Sequence, residues 1–103
     1  MTVPPLTADE RAAALAKAAE ARRVRAEVKS KLKAGALQLS DVLDRAADDE
    51  ALNKLKVVAL LEAMPGVGSS TARAIMAEFN IAESRRVRGL GPHQRSKLVD
   101  RFG

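Results

Sequence analysis

Leu60-Leu61-Glu62-Ala63-Met64-Pro65-Gly66-Val67-Gly68-Ser69-Ser70-Thr71-Ala72-Arg73-Ala74-Ile75-Met76 is the stretch on which the fold of this chain turns. It reads as helix, tight turn, helix. Pro65 removes a backbone donor and stops the first helix, while Gly66 and Gly68 permit positive φ or close approach of a ligand. Val67, between them, is placed to pin the turn into a core. The second helix starts between Gly68 and Ser70. Its first turn offers unpaired backbone amides and the positive end of a helix dipole, which together make an anion site the size of a phosphate. Ser69, Ser70 and Thr71 can add hydroxyl donors. The bland reading is an ordinary αα-hairpin whose glycines only make the turn. A nucleotide-hydrolysing loop is not supported, because no strand precedes the glycines and no Gly-Lys-Ser/Thr follows them.

Downstream, the second helix ends near Asn80 and the chain runs Ser84-Arg85-Arg86-Val87-Arg88-Gly89-Leu90-Gly91-Pro92. Gly89 and Gly91 bracket Leu90 as Gly66 and Gly68 bracket Val67. Pro92 suits the first position of a last helix over about 92–102, docked by Leu98, Val99 and Phe102. An Arg side chain is a planar fork of donors that matches phosphate oxygens, so Arg85, Arg86 and Arg88 in one turn read as a phosphate clamp. Arg73, in the second helix, lies between hairpin and clamp in sequence.

Upstream, residues 51–64 carry Leu52, Leu55, Val58, Ala59, Leu60 and Leu61 and read as one core helix. Before it, Ser40 is the expected N-cap of a short helix with Val42, Leu43 and Ala46 on its apolar side. Thr7-Ala8-Asp9-Glu10 has the form of a capping box, and nothing breaks helical character until Gly35. A helix over about 8–33 is therefore predicted, roughly 39 Å long at ~1.5 Å per residue. Its Ala-rich first half has little to bury and should project. Val24, Val28 and Leu32 make a packing stripe in the second half. Arg22, Arg25, Lys29 and Lys33 fall within an arc of about 80°, centred about 100° from that stripe at ~100° per residue. They form either a solvated face or a second polyanion surface.

The composition narrows the class. Of 103 residues only Phe79 and Phe102 are aromatic, so Leu, Val, Ile, Met and Ala must build the core, and the fold is predicted to be all-α. The expected organisation is an N-terminal tail and long basic helix over 1–35, then a helical domain over 36–103. Eighteen Lys and Arg against thirteen Asp and Glu give +5, which points to a polyanionic partner. The charge is segregated. Residues 11–33 hold eight bases and two acids, 41–50 one and five, and 73–103 seven and three. With no cysteine and one histidine, His93, no metal site is expected and no cofactor is implied. Glu62, Glu78 and His93 have no evident catalytic partner, so no enzyme is expected. No apolar run reaches the ~18 to 20 residues that span a bilayer, and MTVPPL lacks the form of a secretory signal, so a cytoplasmic location is expected and no membrane partner.

With Arg85-Arg86-Val87-Arg88-Gly89-Leu90-Gly91 downstream, Lys56-Val57-Val58-Ala59-Leu60-Leu61-Glu62-Ala63-Met64-Pro65-Gly66-Val67-Gly68 before it and the basic Ala21–Gly35 segment upstream, the chain resembles the actinobacterial integration host factor family over nearly its whole length. The resemblance implies a helix-two-turns-helix module with a helix-hairpin-helix-like grip. It also implies a nucleoid-associated protein that binds double-stranded DNA with little sequence preference, bends or compacts it, and assists site-specific recombination. It places DNA contacts on Gly66, Val67, Gly68, Ser69 and Ser70, with Arg73, and on Arg85, Arg86 and Arg88. One departure is that positions 69–71 lack the lysines that some relatives carry after the hairpin.

The expected form is a monomer that could bridge two duplexes, with Arg22, Arg25, Lys29 and Lys33 as the second DNA surface. The competing reading is a ribosome-associated binder of structured RNA, against which stand the missing basic C-terminal tail and the want of aromatics to stack on unpaired bases. A protein-interaction module based on the acidic Asp48-Asp49-Glu50 run is the third.

Overall fold

The computed structural model describes residues 7–103. Six α-helices follow in order: α1 (Ala8–Lys33), α2 (Leu39–Ala46), α3 (Glu50–Asn53), α4 (Val57–Glu62), α5 (Ser69–Glu78) and α6 (Pro92–Phe102), with a 3-10 turn at Val87–Gly89 before α6. Among the described residues no strand forms. The all-α reading holds.

The long helix starts and stops where its ends dictate. Thr7 Oγ1 accepts from the Glu10 amide at 3.1 Å. Asp9 and Glu10 sit at the positive end of the dipole, and Lys31 and Lys33 at the negative end. At the C-terminus Gly35 takes φ +75°. The Ala36 amide then reaches back to the Lys31 carbonyl at 2.8 Å and the Gly35 amide to the Leu32 carbonyl at 3.1 Å. That pair of bonds is a Schellman motif. Helix α5 closes in the same way around Asn80 (φ 57°), with the Ile81 amide donating to the Met76 carbonyl at 2.7 Å.

Residues 8–20 of α1 are exposed throughout, and Leu15 is the one large apolar side chain left in solvent among the described residues. Val28 and Leu32 are buried and Val24 packs partly against the same core. The docked second half and projecting first half agree with the sequence. The projecting part is held to α3 at its edge, where Lys17 pairs with Glu50 at 3.5 Å.

The core is one cluster drawn from every helix. Leu32, Leu39, Leu52, Leu60, Leu61, Met76 and Leu98 are fully buried, and among the described residues no polar or charged side chain is buried with them. A core of branched aliphatics without aromatics works here because short helices bring their axes close together.

Two expectations are corrected. Residues 51–64 are not one helix: the chain breaks at Lys54–Lys56 between α3 and α4. The break is tertiary in origin. The Val87 amide donates to the Leu55 carbonyl, and the Val57 amide to the Arg85 carbonyl, each at 2.9 Å. Lys56 and Arg86 thereby form an isolated antiparallel bridge. These external bonds replace intrahelical ones. Ser40 is likewise not an N-cap. Gln38 stands there, its amide donating to Asp41 Oδ2 at 2.9 Å. Ser40 instead ties down the chain end, its hydroxyl and amide donating to the Gly103 carbonyl at 3.2 and 3.1 Å.

Candidate nucleic-acid interface

The hairpin joins α4 to α5. The Val67 amide donates to the Met64 carbonyl at 3.2 Å, so Pro65 and Gly66 occupy the centre of a β-turn. Gly66 has φ +75°, the conformation a Pro-Gly turn of type II demands. Val67 is buried and anchors the loop, while Gly66, Gly68, Ser69 and Ser70 are exposed around it. Gly68 differs from Gly66: at φ −90° and ψ 178° it is ordinary extended backbone, and a Cβ there would meet nothing within 4 Å. Neither strain nor packing inside the chain calls for glycine at that place. Removing the side chain opens the way to the α5 N-terminus from outside.

That N-terminus has no side-chain cap. The first intrahelical bond runs from the Ala72 amide to the Gly68 carbonyl at 2.9 Å, so the amides of residues 69–71 come before it. By contrast, Thr7 caps α1, Asp49 caps α3 through the Ala51 amide at 2.9 Å, and Gln94 Oε1 accepts from the Gly91 amide at the head of α6 at 3.0 Å. Arg73 projects from the next turn of α5, 3.6 Å from Glu83, so its charge is shared with a carboxylate.

The three arginines are fixed in three ways. Arg85 is half-buried and folds across Gly89, its Nη1 donating to the Gly89 carbonyl at 2.6 Å. A Cβ on Gly89 would stand 2.9 Å from the Arg85 Cδ, so this glycine makes room for the arginine. Arg86 reaches 32 residues back along the chain, its Nη1 donating to the Lys54 carbonyl at 2.6 Å. Arg88 lies on the other flank, where it lines a cleft between α2 and α6 with Arg95. Arg85 and Arg86 each retain guanidinium donors beyond the one bond named here.

Pairing of charges divides the surface. Arg23 lies between Glu20 and Glu27, at 2.6 and 3.0 Å, and Lys31 joins Glu27 at 3.1 Å. Their hydrogen bonds and charges hold the carboxyls of Glu20 and Glu27 below the usual range. The Glu50 carboxyl is lowered by its hydrogen bond to Lys54 and by the charge of Lys17. Arg95 pairs with Asp44 and Arg101 with Glu78. Among the described residues Arg22, Arg25, Lys29, Lys33, Lys56, Arg85, Arg86 and Arg88 form no ion pair. The four α1 bases singled out in the sequence are all in this unpaired set. Among the described residues no group of His, Asp or Glu could hold a metal ion.

Residues 32–102 match the S13-like H2TH domain family. Over 103 residues the chain is 55% identical to the integration host factor of Mycobacterium tuberculosis, covering all of this chain and 98% of that protein. It is 55% identical to that of Mycolicibacterium smegmatis over 99% of this chain and 97% of the relative, and 52% identical to that of Streptomyces coelicolor over 100% and 96%. This chain belongs to the actinobacterial integration host factor family. The solved structure of sIHF bound to an 8 bp palindromic DNA matches with a TM-score of 0.82 and 49% identity, covering 84% of this chain and 98% of that one.

Within this integration host factor fold the sequence reading overlooked two lysines. Lys54 and Lys56 looked like ordinary exposed positions on a continuous helix. The structure places them with Arg25 and Arg86 around one groove. The one local hint was Lys-Leu-Lys interrupting an otherwise apolar run, and a solvated helix face gives the same pattern.

Proposed function

We propose that this protein is a nucleoid-associated, architectural DNA-binding protein. It grips duplex DNA by its backbone phosphates, bends or compacts it, and assists site-specific recombination. The observation that carries the reading is the open, uncapped N-terminus of α5 behind Gly68, in a chain whose Arg85, Arg86 and Arg88 are held in place with no acid beside them. Amides at a helix N-terminus take a phosphate oxygen without regard to base, and guanidinium forks take others. Gly66, Val67, Gly68, Ser69 and Ser70 make the hairpin contact in this reading, Arg73 a weaker one, and the arginines the clamp. The relatives' name and the DNA-bound state of sIHF support it.

The reading needs no catalytic step and no cofactor, and it places the protein in the cytoplasm on the nucleoid. No helix among the described residues is long and apolar enough to cross a membrane. Structured RNA, the competing partner, is not favoured by the comparison with a DNA-bound relative.

The test is duplex binding measured against salt. With about four to six phosphates neutralised, log K falls against log salt with a slope near −4 to −5, since each contributes about 0.9. A flat profile, or undiminished binding after Arg85, Arg86 and Arg88 are all changed to Ala, refutes the proposal.

A further inference from the structure

We propose that the basic face of α1 and the arginine turn are two walls of one groove that takes a single duplex, with Lys56 as the phosphate contact that joins them. This inference rests on the reading of hairpin and arginine turn as a DNA grip. It departs from the expectation of a separate second surface on α1 holding a second duplex.

Arg25, Lys56 and Arg86 line the same groove, together with Ala59. Ala59 also lines the next depression along, shared with Lys29, Lys33 and Glu62. The cations thus follow one another without interruption, from Lys33 through Lys29 and Arg25 on α1 to Lys56 and Arg86 opposite. The eight residues from Arg25 to Lys33 span about 12 Å of helix, and about three phosphates of one strand at ~3.4 Å of axial rise. Small Ala59 keeps the middle of the track open.

Lys56 is set rigidly against the clamp. The residues on either side of it are bonded to the arginine turn, Leu55 through its carbonyl to the Val87 amide and Val57 through its amide to the Arg85 carbonyl, each at 2.9 Å. A phosphate held by Arg86 therefore has Lys56 beside it on the neighbouring strand of backbone. Lys29, Lys33 and Lys56 are exposed and, like half-buried Arg25, have no acid partner, whereas Lys17, Arg23 and Lys31 on the same helix are neutralised by glutamates. Charge left unpaired along one line suits one extended anion. Two duplexes bound at walls of the same groove would instead face each other's phosphates. Glu62 is the one carboxylate on this line, and it also has no cation paired to it. It should repel the backbone that the lysines attract.

The experiment is titration of the intact protein with a duplex of about two helical turns, roughly 20 bp, read for stoichiometry, affinity and salt slope. In the Lys29→Ala, Lys33→Ala, Lys56→Ala triple variant the first duplex binds at least tenfold more weakly. The log–log salt slope becomes shallower by about 2 to 3, at ~0.9 for each phosphate no longer neutralised, and the complex stays one to one. Melting without DNA reports whether the fold is intact, and Lys56→Gln alone, expected to weaken binding about threefold, serves if the triple variant unfolds. Glu62→Gln is expected to tighten binding about two- to threefold. Wild-type affinity and slope in the lysine variants overturn the proposal, as does a first duplex bound normally with only the binding of a second one abolished, or no gain from Glu62→Gln. Undiminished binding after loss of Arg85, Arg86 and Arg88 indicts the DNA grip itself instead, so the two failures are distinct.

Discussion

Arg86 donates from Nη1 to the Lys54 carbonyl at 2.6 Å, across 32 residues of sequence. One guanidinium thus fastens the turn before α6 to the break between α3 and α4, and still has donors free for a ligand. Arg86→Lys keeps the charge and loses the fork. It is expected to cost about 1 kcal/mol of stability, the scale of one net hydrogen bond, and so to lower Tm by about 4–8 °C in a domain of this size. Duplex affinity should fall severalfold as well. A lysine variant equal to wild type in both melting and binding would show that charge alone is used.

Gly66 and Gly68 separate stability from binding. Gly66→Ala forces a Cβ onto backbone at φ +75°, at a cost of about 1–2 kcal/mol. Gly68→Ala meets neither strain nor a clash. It should leave melting unchanged or raise stability by about 0.4–1 kcal/mol through the unfolded chain. Yet its methyl group stands at the entrance to the α5 amides, and duplex binding is expected to drop about tenfold. Normal binding by Gly68→Ala would remove the hairpin amides from the interface.

Gly89→Ala tests whether the clamp must be pre-set. Its Cβ would lie 2.9 Å from the Arg85 Cδ, and the side chain can move away only by giving up the bond to the Gly89 carbonyl. Stability should change by under about 1 kcal/mol, the range of one part-exposed hydrogen bond, while duplex affinity falls more than melting does. Equal affinity in mutant and wild type would show that the ordering of Arg85 is irrelevant to binding.

Leu60 is fully buried and Leu15 is 67% exposed. Leu60→Ala is expected to cost about 2–5 kcal/mol, a large part of the stability of a small domain, whereas Leu15→Ala should stay within about 0.5 kcal/mol. Duplex at 100 times its Kd adds about 2.7 kcal/mol to the folded state. It should therefore restore much of the melting temperature lost by Leu60→Ala, which calorimetry with and without DNA would check. A melting temperature that ignores DNA would mean that the duplex does not select the folded form.

How far the sequence reached depended on the range of the interactions. Thr7, Gly35, Pro65, Gly66 and Pro92 act within four or five residues of themselves, through hydroxyl caps, positive φ and a missing donor, and they marked α1, the hairpin and α6 without outside help. The heptad-scale spacing of Val28 and Leu32 gave the docked half of α1, and the family resemblance rested on the same local motifs. Ser40 misled because a hydroxyl suits a cap and equally suits the Gly103 carbonyl, and its own neighbours do not choose between them.

What the sequence by itself determined is therefore the helical class, the hairpin, the arginine turn and the excess of positive charge. What tertiary structure decided is where those charges meet. The break at Lys54–Lys56 exists because Arg85 and Val87 supply its backbone with partners from 30 residues away, and no local propensity in the apolar run encodes that. Once the break forms, Lys56 stands beside Arg86 and across from Arg25. A helical wheel records only the angle of a side chain about its own axis, whereas a groove needs the position of the helix opposite, which packing alone provides.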